Sequence, residues 1–288
     1  MRSFSELIET VSSFRKKMKL AVVMAHDEET MKAVLKAKEM EIVEPVLFGN
    51  KEKMKLLADS MGVTLDVEII NTEDPIEASR MAVESVAKDD AGILMKGMVK
   101  TGELMSIFLR KEYNLRTERI LSAVSVHEVP TYQKLIVISD GGMVISPNLQ
   151  QRIDIVENAV FVAHALGIEK PRVALLGTGK EDSLTAEMII LSKMFQHRSD
   201  CIVDGPITLD FALSKEAGFS DVLIVPHIEA GNILSKALVY FSHGKAAIVV
   251  AGSRVPIILT SRADGEETRF LSILLGVLIA QNGVRSNV

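Results

Sequence analysis

The stretch LAVVMAHDEETMKAVLKAKEMEIVEPVLFGNKEKMKLLADSM, residues 20–61, sets two periodicities side by side. Leu20 to Ala25 is a short unbroken apolar run, the pattern of a strand covered on both faces. Glu29 to Met40 follows with the spacing of an amphipathic helix, then Val46 to Gly49 reads as a second strand and Lys53 to Met61 as a second helix. Strand and helix go on alternating outward from this stretch. Val67 to Ile70, Gly92 to Lys96, Leu121 to Val126 and Leu135 to Ser139 continue the strands, with helices at Ile76 to Ala87 and Thr101 to Lys111. Upstream, Ser3-x-x-Glu6 forms a capping-box pattern ahead of Leu7, Ile8, Val11 and Phe14 at helical spacing. Such alternation predicts an α/β fold, with mainly parallel sheets covered by helices.

The pattern pauses near Asp140-Gly141-Gly142. A long helix from Asn148 to Leu166 then opens a second series with strands at Val173 to Leu176, Cys201 to Val203, Val222 to Val225 and Ala247 to Ala251. A last strand, Val255 to Leu259, and a helix from about Asp264 to Gln281 could complete either sheet. Two α/β/α domains are expected in a chain of 288 residues, since a domain usually holds roughly 100–200. No Pro/Gly/Ser-rich linker or repeat separates them.

Composition narrows the partners. Hydrophobic residues make up 48% and charged residues 25%, enough to bury real cores, which excludes a disordered chain. The formal net charge of -5 supplies no global positive field, so nucleic acid and anionic membranes are not expected as partners, and an anionic ligand must be held locally. The apolar run Leu271 to Ala280 is half the roughly 20 residues a spanning helix needs, and reads as a core helix. With no signal-type apolar core at the N-terminus, a cytoplasmic location is expected. The single cysteine, Cys201, reads as a buried strand residue rather than a nucleophile. The six histidines show no H-x-x-x-H or H-E-x-x-H spacing, so no metal is expected, and no G-x-S-x-G elbow suggests an acyl-serine.

In open α/β sheets, ligands gather where strands end and helices begin. Ile257-Ile258-Leu259-Thr260-Ser261-Arg262-Ala263-Asp264 puts a hydroxyl, a guanidinium and a carboxylate at such a point. Ser261 could cap the helix and Arg262 offers a fork matched to phosphate; a helix cap beside a surface arginine fits the residues equally well. Met95 to Gly102 ends another strand in a glycine turn, with Lys96 and Lys100 bracketing the approach to a helix capped by Thr101. Solvated lysines are the plain alternative. Arg116 and Arg119 precede the next strand and could reach the same cleft. Asp140-Gly141-Gly142, Asp204-Gly205-Pro206 and Glu229-Ala230-Gly231-Asn232 mark three more strand ends, each explicable as a turn. Gly177-Thr178-Gly179-Lys180 lacks the spacing of a P-loop and reads as a turn.

Longer blocks carry a resemblance. MKGMVKTGELM (95–105), LSAVSVHEVPTYQKLIVISDGGM (121–143), LQQRIDIVENAVFVAHALGI (149–168), CIVDGPITLDFALS (201–214), VPHIEAGNILSKALVYF (225–241) and VPIILTSRADGEETRFLSI (255–273) occur in order across most of the chain. The sequence resembles the phosphate acetyl/butyryltransferase family, most closely its butyryl branch. The resemblance implies a two-domain architecture like that of isocitrate and isopropylmalate dehydrogenases, with domains at 1–139 with 253–288 and at 140–252 and an interdomain active-site cleft. It also implies reversible exchange of acyl-CoA plus phosphate for acyl phosphate plus CoA without a further cofactor, and a homodimer or larger homo-oligomer. Ser261 and Arg262 are then the expected catalytic pair, with Lys96, Lys100, Thr101, Arg119, Glu229 and Asn232 binding phosphate or coenzyme A.

Three departures accompany it. Val144 stands where relatives usually carry an amide, and His227 where they carry an acid. Where the acetyl branch has a catalytic aspartate beyond the Ser-Arg pair, this chain has Glu267 and Thr268. The general base is therefore open among Asp140, Asp204, Asp264 and Glu267. Rival readings are a phosphate acetyltransferase, an acyl phosphate synthase using acyl carrier protein, a decarboxylating dehydrogenase, and a non-catalytic module binding CoA or acyl phosphate.

Overall fold

The computed structural model describes residues 1–180 and 182–283. The chain runs α1 (Phe4–Ser12), β1 (Met18–Val23), α2 (Glu28–Glu39), β2 (Val43–Gly49), α3 (Lys51–Ser60), β3 (Glu68–Asn71), α4 (Pro75–Ala87), β4 (Ile93–Lys96) and α5 (Thr101–Phe108). It continues through β5 (Ser122–Glu128), β6 (Ile136–Ser139), α6 (Leu149–Ala165), β7 (Arg172–Leu176), α7 (Ser183–Phe195), β8 (Ile202–Ile207), α8 (Leu209–Ala212), β9 (Val222–Ile224) and α9 (Ile228–Tyr240). β10 (Lys245–Ala251), β11 (Ile257–Ile258) and α10 (Glu266–Gly283) end it. Local chemistry explains the helix starts. Asp27, Asn50 and Asp74 accept backbone N–H bonds at the N-termini of α2, α3 and α4, Pro75 begins α4, and Asn148 with Gln151 forms a full capping box on α6.

Two compact units emerge. The first comprises Leu7–Thr117 and the chain from Ala247 onward; the second comprises Met1–Glu6 and Glu118–Ala246. In the first, strands lie in the order β3-β2-β1-β4-β11-β10, all parallel except for the β10–β11 pair. α2 packs with α10 and α4 with α5. α10 is buried from Phe270 to Ile279, because apolar residues occupy every face of that stretch.

The second unit orders its strands β5-β6-β9-β7-β8, with β5 and β6 antiparallel and the other pairs parallel. The sequence boundary after residue 139 falls at the end of β6, whereas the units divide after Thr117. Residues 129–135 are too few for the crossover a parallel pair needs, so β5 and β6 close as neighbours and stay together. Cys201 is free and buried, and burial raises its thiol pKa. α7 has no counterpart in the sequence reading; Asp182 caps it by accepting from Thr185 N. Among the described residues, no helix is long and apolar enough to cross a membrane.

One histidine in the second unit makes acid stability measurable. His127 on β5 is buried, its Nε2 is 3.0 Å from Ser125 Oγ, and its buried Nδ1 has no partner among the described residues. Desolvation pushes its pKa from 6.5 down to about 4. The ring stays neutral in the fold between those values while the unfolded chain binds a proton, so stability falls as pH drops through that window, by up to about 3 kcal/mol. Urea melts from pH 7 to pH 4 are expected to show a shallower acid loss in His127→Gln than in the wild type. An unchanged pH slope would contradict the assignment.

Candidate functional site

β1, β4 and β11 are parallel neighbours in the first unit, with Val23 opposite Lys96 and Ile258 opposite Met95. Their carboxyl ends therefore deliver three loops to one edge of the sheet, where a ligand of an α/β protein is expected. After β4, Gly97 N donates to Val23 O at 2.8 Å and Met98 N to Met24 O at 2.8 Å, stitching two of the loops together. A Cβ at position 97 would fall 2.7 Å from Val23 O and nearer still to Met24 O, so only glycine permits this approach.

The loop after β11 folds on itself. Ser261 N donates to Asp264 Oδ2 at 2.7 Å, Asp264 N to Ser261 O at 3.1 Å, and Ala263 N to Ser261 Oγ at 3.4 Å. Ser261 thus caps a tight turn and not the helix, which begins at Glu266, where the backbone N–H donates to the Glu29 carboxylate. The sequence expectation of a Ser261 helix cap is corrected here: Arg262, Ala263, Asp264 and Gly265 intervene, and Glu29 of α2 supplies the acceptor.

Arg269 of α10 holds this turn. It is buried, and its Nε donates to Asp264 O at 3.0 Å, its Nη2 to Ser261 O at 3.3 Å, and its Nη1 to Thr30 Oγ1 at 2.9 Å and Thr260 Oγ1 at 3.2 Å. Asp27 lies 3.7 Å from its Nη2 while capping α2 through Thr30 N. Arg269, Thr30 and Asp27 escaped the sequence reading. The available signals were an arginine bordering the apolar run of the last helix and an Asp-x-x-Thr cap following an apolar strand.

Lys96, the last residue of β4, is 6% exposed, with Nζ 3.1 Å from Gly97 O and 3.5 Å from Val99 O. Burial lowers its pKa first, and the charges of Arg269 and Arg262 lower it further, against smaller opposing effects of Asp27 and Asp264. Arg262 is exposed and makes no hydrogen bond or ion pair among the described residues. Ser261, Arg262, Asp264 and Lys96 are therefore brought together, as an unpaired guanidinium fork and a buried amine suited to an anion.

The other expected site residues distribute differently. Lys100 occupies the cap position of α5 and pairs with Glu103 at 3.1 Å, with Thr101 as the first helical residue instead of the cap. Glu267 is exposed in the first turn of α10. Asp140, Asp204, Arg119, Glu229 and Asn232 belong to the second unit. Asp140 is buried, and its carboxylate accepts from Gly142 N, Met143 N and Val144 N at 2.7, 2.9 and 3.1 Å; burial raises its pKa, against the pull of these bonds. Gly141 and Gly231 meet backbone to backbone, and Asn232 Nδ2 lies 3.4 Å from Gly141 O. Asp204 is exposed on β8 in a pocket lined also by Arg172, Phe211 and Glu216. Arg119 sits over the Phe161 ring. Among the described residues, no group of three or more His, Cys, Asp or Glu side chains could hold a metal ion.

Residues 72–277 match the family described as "Phosphate acetyl/butaryl transferase". The chain belongs to this family. It is similar to a phosphate acetyltransferase of Thermotoga maritima, 43% identical over 280 residues that cover 91% of this chain and 95% of that protein. It is also similar to a phosphate butyryltransferase of Clostridium acetobutylicum, 37% identical over 302 residues covering 98% and 99%. A solved branched-chain phosphotransacylase from Enterococcus faecalis V583 matches with a TM-score of 0.80 at 29% identity, covering 91% of this chain and 99% of that one. The chain is thus an acyltransferase of a family that uses coenzyme A and phosphate as substrates.

Arg269 provides the test of the turn. Arg269→Met is expected to lower stability by about 1–3 kcal/mol, because it leaves buried acceptors unsatisfied, and to cut phosphate-dependent turnover more than tenfold. Arg269→Lys keeps the charge without the fork and is expected to recover stability better than activity. Urea melts beside steady-state rates measure both; a destabilised Arg269→Met with wild-type kinetics would sever the turn from function.

Proposed function

We propose that this acyltransferase prefers butyryl over acetyl groups and works at the carboxyl ends of β1, β4 and β11. The carrying observation is the turn after β11, which Arg269 holds in place while Arg262 extends from it without a partner among the described residues. Phosphate oxygen attacks the thioester carbonyl of acyl-CoA, a tetrahedral oxyanion forms, and the C–S bond breaks to release coenzyme A. Arg262 binds the phosphate, and the Ser261 hydroxyl donates to the developing oxyanion. The butyryl reading is supported by the nearly end-to-end match to the Clostridium acetobutylicum enzyme. Acetyl preference is the second reading, favoured by the higher identity of the Thermotoga maritima relative. Substrates of this kind fit a cytoplasmic enzyme.

The two acyl readings separate by kcat/KM on a panel of acyl-CoAs, read as phosphate-dependent release of free thiol. A ratio favouring butyryl-CoA is expected; a tenfold preference for acetyl-CoA, within reach of the about 1–3 kcal/mol that one methylene is worth, would reverse the assignment. Ser261→Ala is expected to lower kcat by up to about 10²–10³ with little change in the melting temperature. Arg262→Ala should raise the KM for phosphate more than Arg262→Lys does, and near-wild-type kinetics would remove the pair from the site. Cys201→Ala should keep turnover, whereas an acyl-thioester trapped on Cys201 would overturn direct transfer.

The homo-oligomer expectation also has a physical basis. α9 is largely apolar yet buries only Gly231, while Ile233, Tyr240 and the adjoining Phe241 are 68%, 58% and 85% exposed. Soluble chains rarely leave such a face to water. Light scattering at micromolar concentration is expected to give at least twice the 31.5 kDa chain mass; a monomer would contradict this reading.

A further inference from the structure

Acyl transfer in the direction of acyl-CoA synthesis begins with the thiol of coenzyme A, whose pKa of about 8.5 leaves it mostly protonated at neutral pH. A base must take that proton. Two carboxylates near or expected at the site are already engaged: Asp264 accepts from Ser261 N, and Asp140 accepts from three amides of its own turn.

Lys96 is not so engaged. It is buried at the end of β4 and forms no ion pair among the described residues; its Nζ reaches only the neutral carbonyls of Gly97 and Val99. A buried ammonium ordinarily has a carboxylate partner. The charges that act on it most come from three elements: Arg269 from α10, Arg262 and Asp264 from the loop after β11, and Asp27 from the cap of α2. Asp27 in turn lies beside Arg269 and caps α2. Two carbonyl acceptors match the two N–H donors of a neutral amine and leave its lone pair for a proton. Burial and the two arginines act in the same direction, lowering the pKa from the ordinary lysine value, as a lysine base requires.

We propose that Lys96, as the neutral amine, is the general base that deprotonates the thiol of coenzyme A. This rests on the reading that the ends of β4 and β11 form the active site. As sulfur attacks the carbonyl carbon of the acyl phosphate, the S–H proton passes to Nζ, and the S–C bond forms. The tetrahedral adduct then collapses, and the bond between the acyl carbon and the bridging oxygen breaks, its electron pair leaving on that oxygen of the departing phosphate. In the opposite direction the Lys96 ammonium returns the proton to the leaving thiolate. The ammonium is formed just as phosphate gains charge, so the two products stabilise each other.

The test uses the full-length enzyme with butyryl phosphate and coenzyme A as varied substrates from pH 5.5 to 9.5. The wild-type rate is expected to rise along a limb set by a group titrating below about 10.4, and warming should move that limb to lower pH, as for an amine. A limb insensitive to temperature, as a carboxylate gives, would overturn the proposal without any variant. Lys96→Ala is expected to lower kcat by about 10²–10⁴, to remove the limb, and to be rescued by methylamine in proportion to its free-base concentration. Lys96→Arg keeps the charge and is expected to stay as slow as Lys96→Ala. If Lys96→Ala instead raises the KM for butyryl phosphate while keeping kcat and the limb, Lys96 is a charge anchor, and the base proposal fails while the site stands. If kcat, KM and the limb are all unchanged, the proposal and the site reading fail together.

Discussion

The guanidinium of Arg269 is the contact on which the turn at the carboxyl end of β11 depends. It reaches from α10 to two carbonyls of the Ser261–Asp264 turn, two threonine hydroxyls and the aspartate that caps α2. A planar fork can satisfy that many acceptors at once, which an ammonium cannot. With the turn held through its backbone, Arg262 is left without a partner among the described residues. α10 is buried over most of its length, so the anchor of this clasp is rigid.

Electrostatics at this edge run against the chain as a whole. A net charge of -5 would repel two polyanionic substrates at long range, and salt screens such fields beyond about 8–10 Å. Binding must therefore come from local charge. Arg262 and Arg269 supply that charge beside Lys96, each acting on it more strongly than Asp27 or Asp264 does. The same crowding that favours an incoming phosphate disfavours a proton on Lys96.

Much of this was legible in the sequence because its signals are local. The alternation in residues 20–61 corresponds to β1, α2, β2 and α3, with ends displaced by up to three residues. The strand-to-helix junction at Thr260 to Asp264 could likewise be recognised from residue types alone. Arg269 could not, because its partners Asp27 and Thr30 lie about 240 positions away and only the sheet order brings them near. The role of Ser261 was misread as a helix cap for a related reason: Glu29, on another helix, receives the first free N–H of α10. Asp140 looked like a candidate base from its strand-end position, but three amides of its own turn now occupy its carboxylate, a geometry that spacing does not reveal.

The position of bound phosphate decides most directly whether the carboxyl ends of β1, β4 and β11 form the site. A crystal structure with phosphate and desulfo-coenzyme A, which lacks the reactive thiol, tests this without turnover. The predicted result is phosphate density against the Arg262 guanidinium and within hydrogen-bond distance of the Ser261 turn, with Lys96 Nζ facing the space that the missing sulfur would fill. Phosphate held solely by residues of the second unit, with Arg262 in solvent, would contradict it.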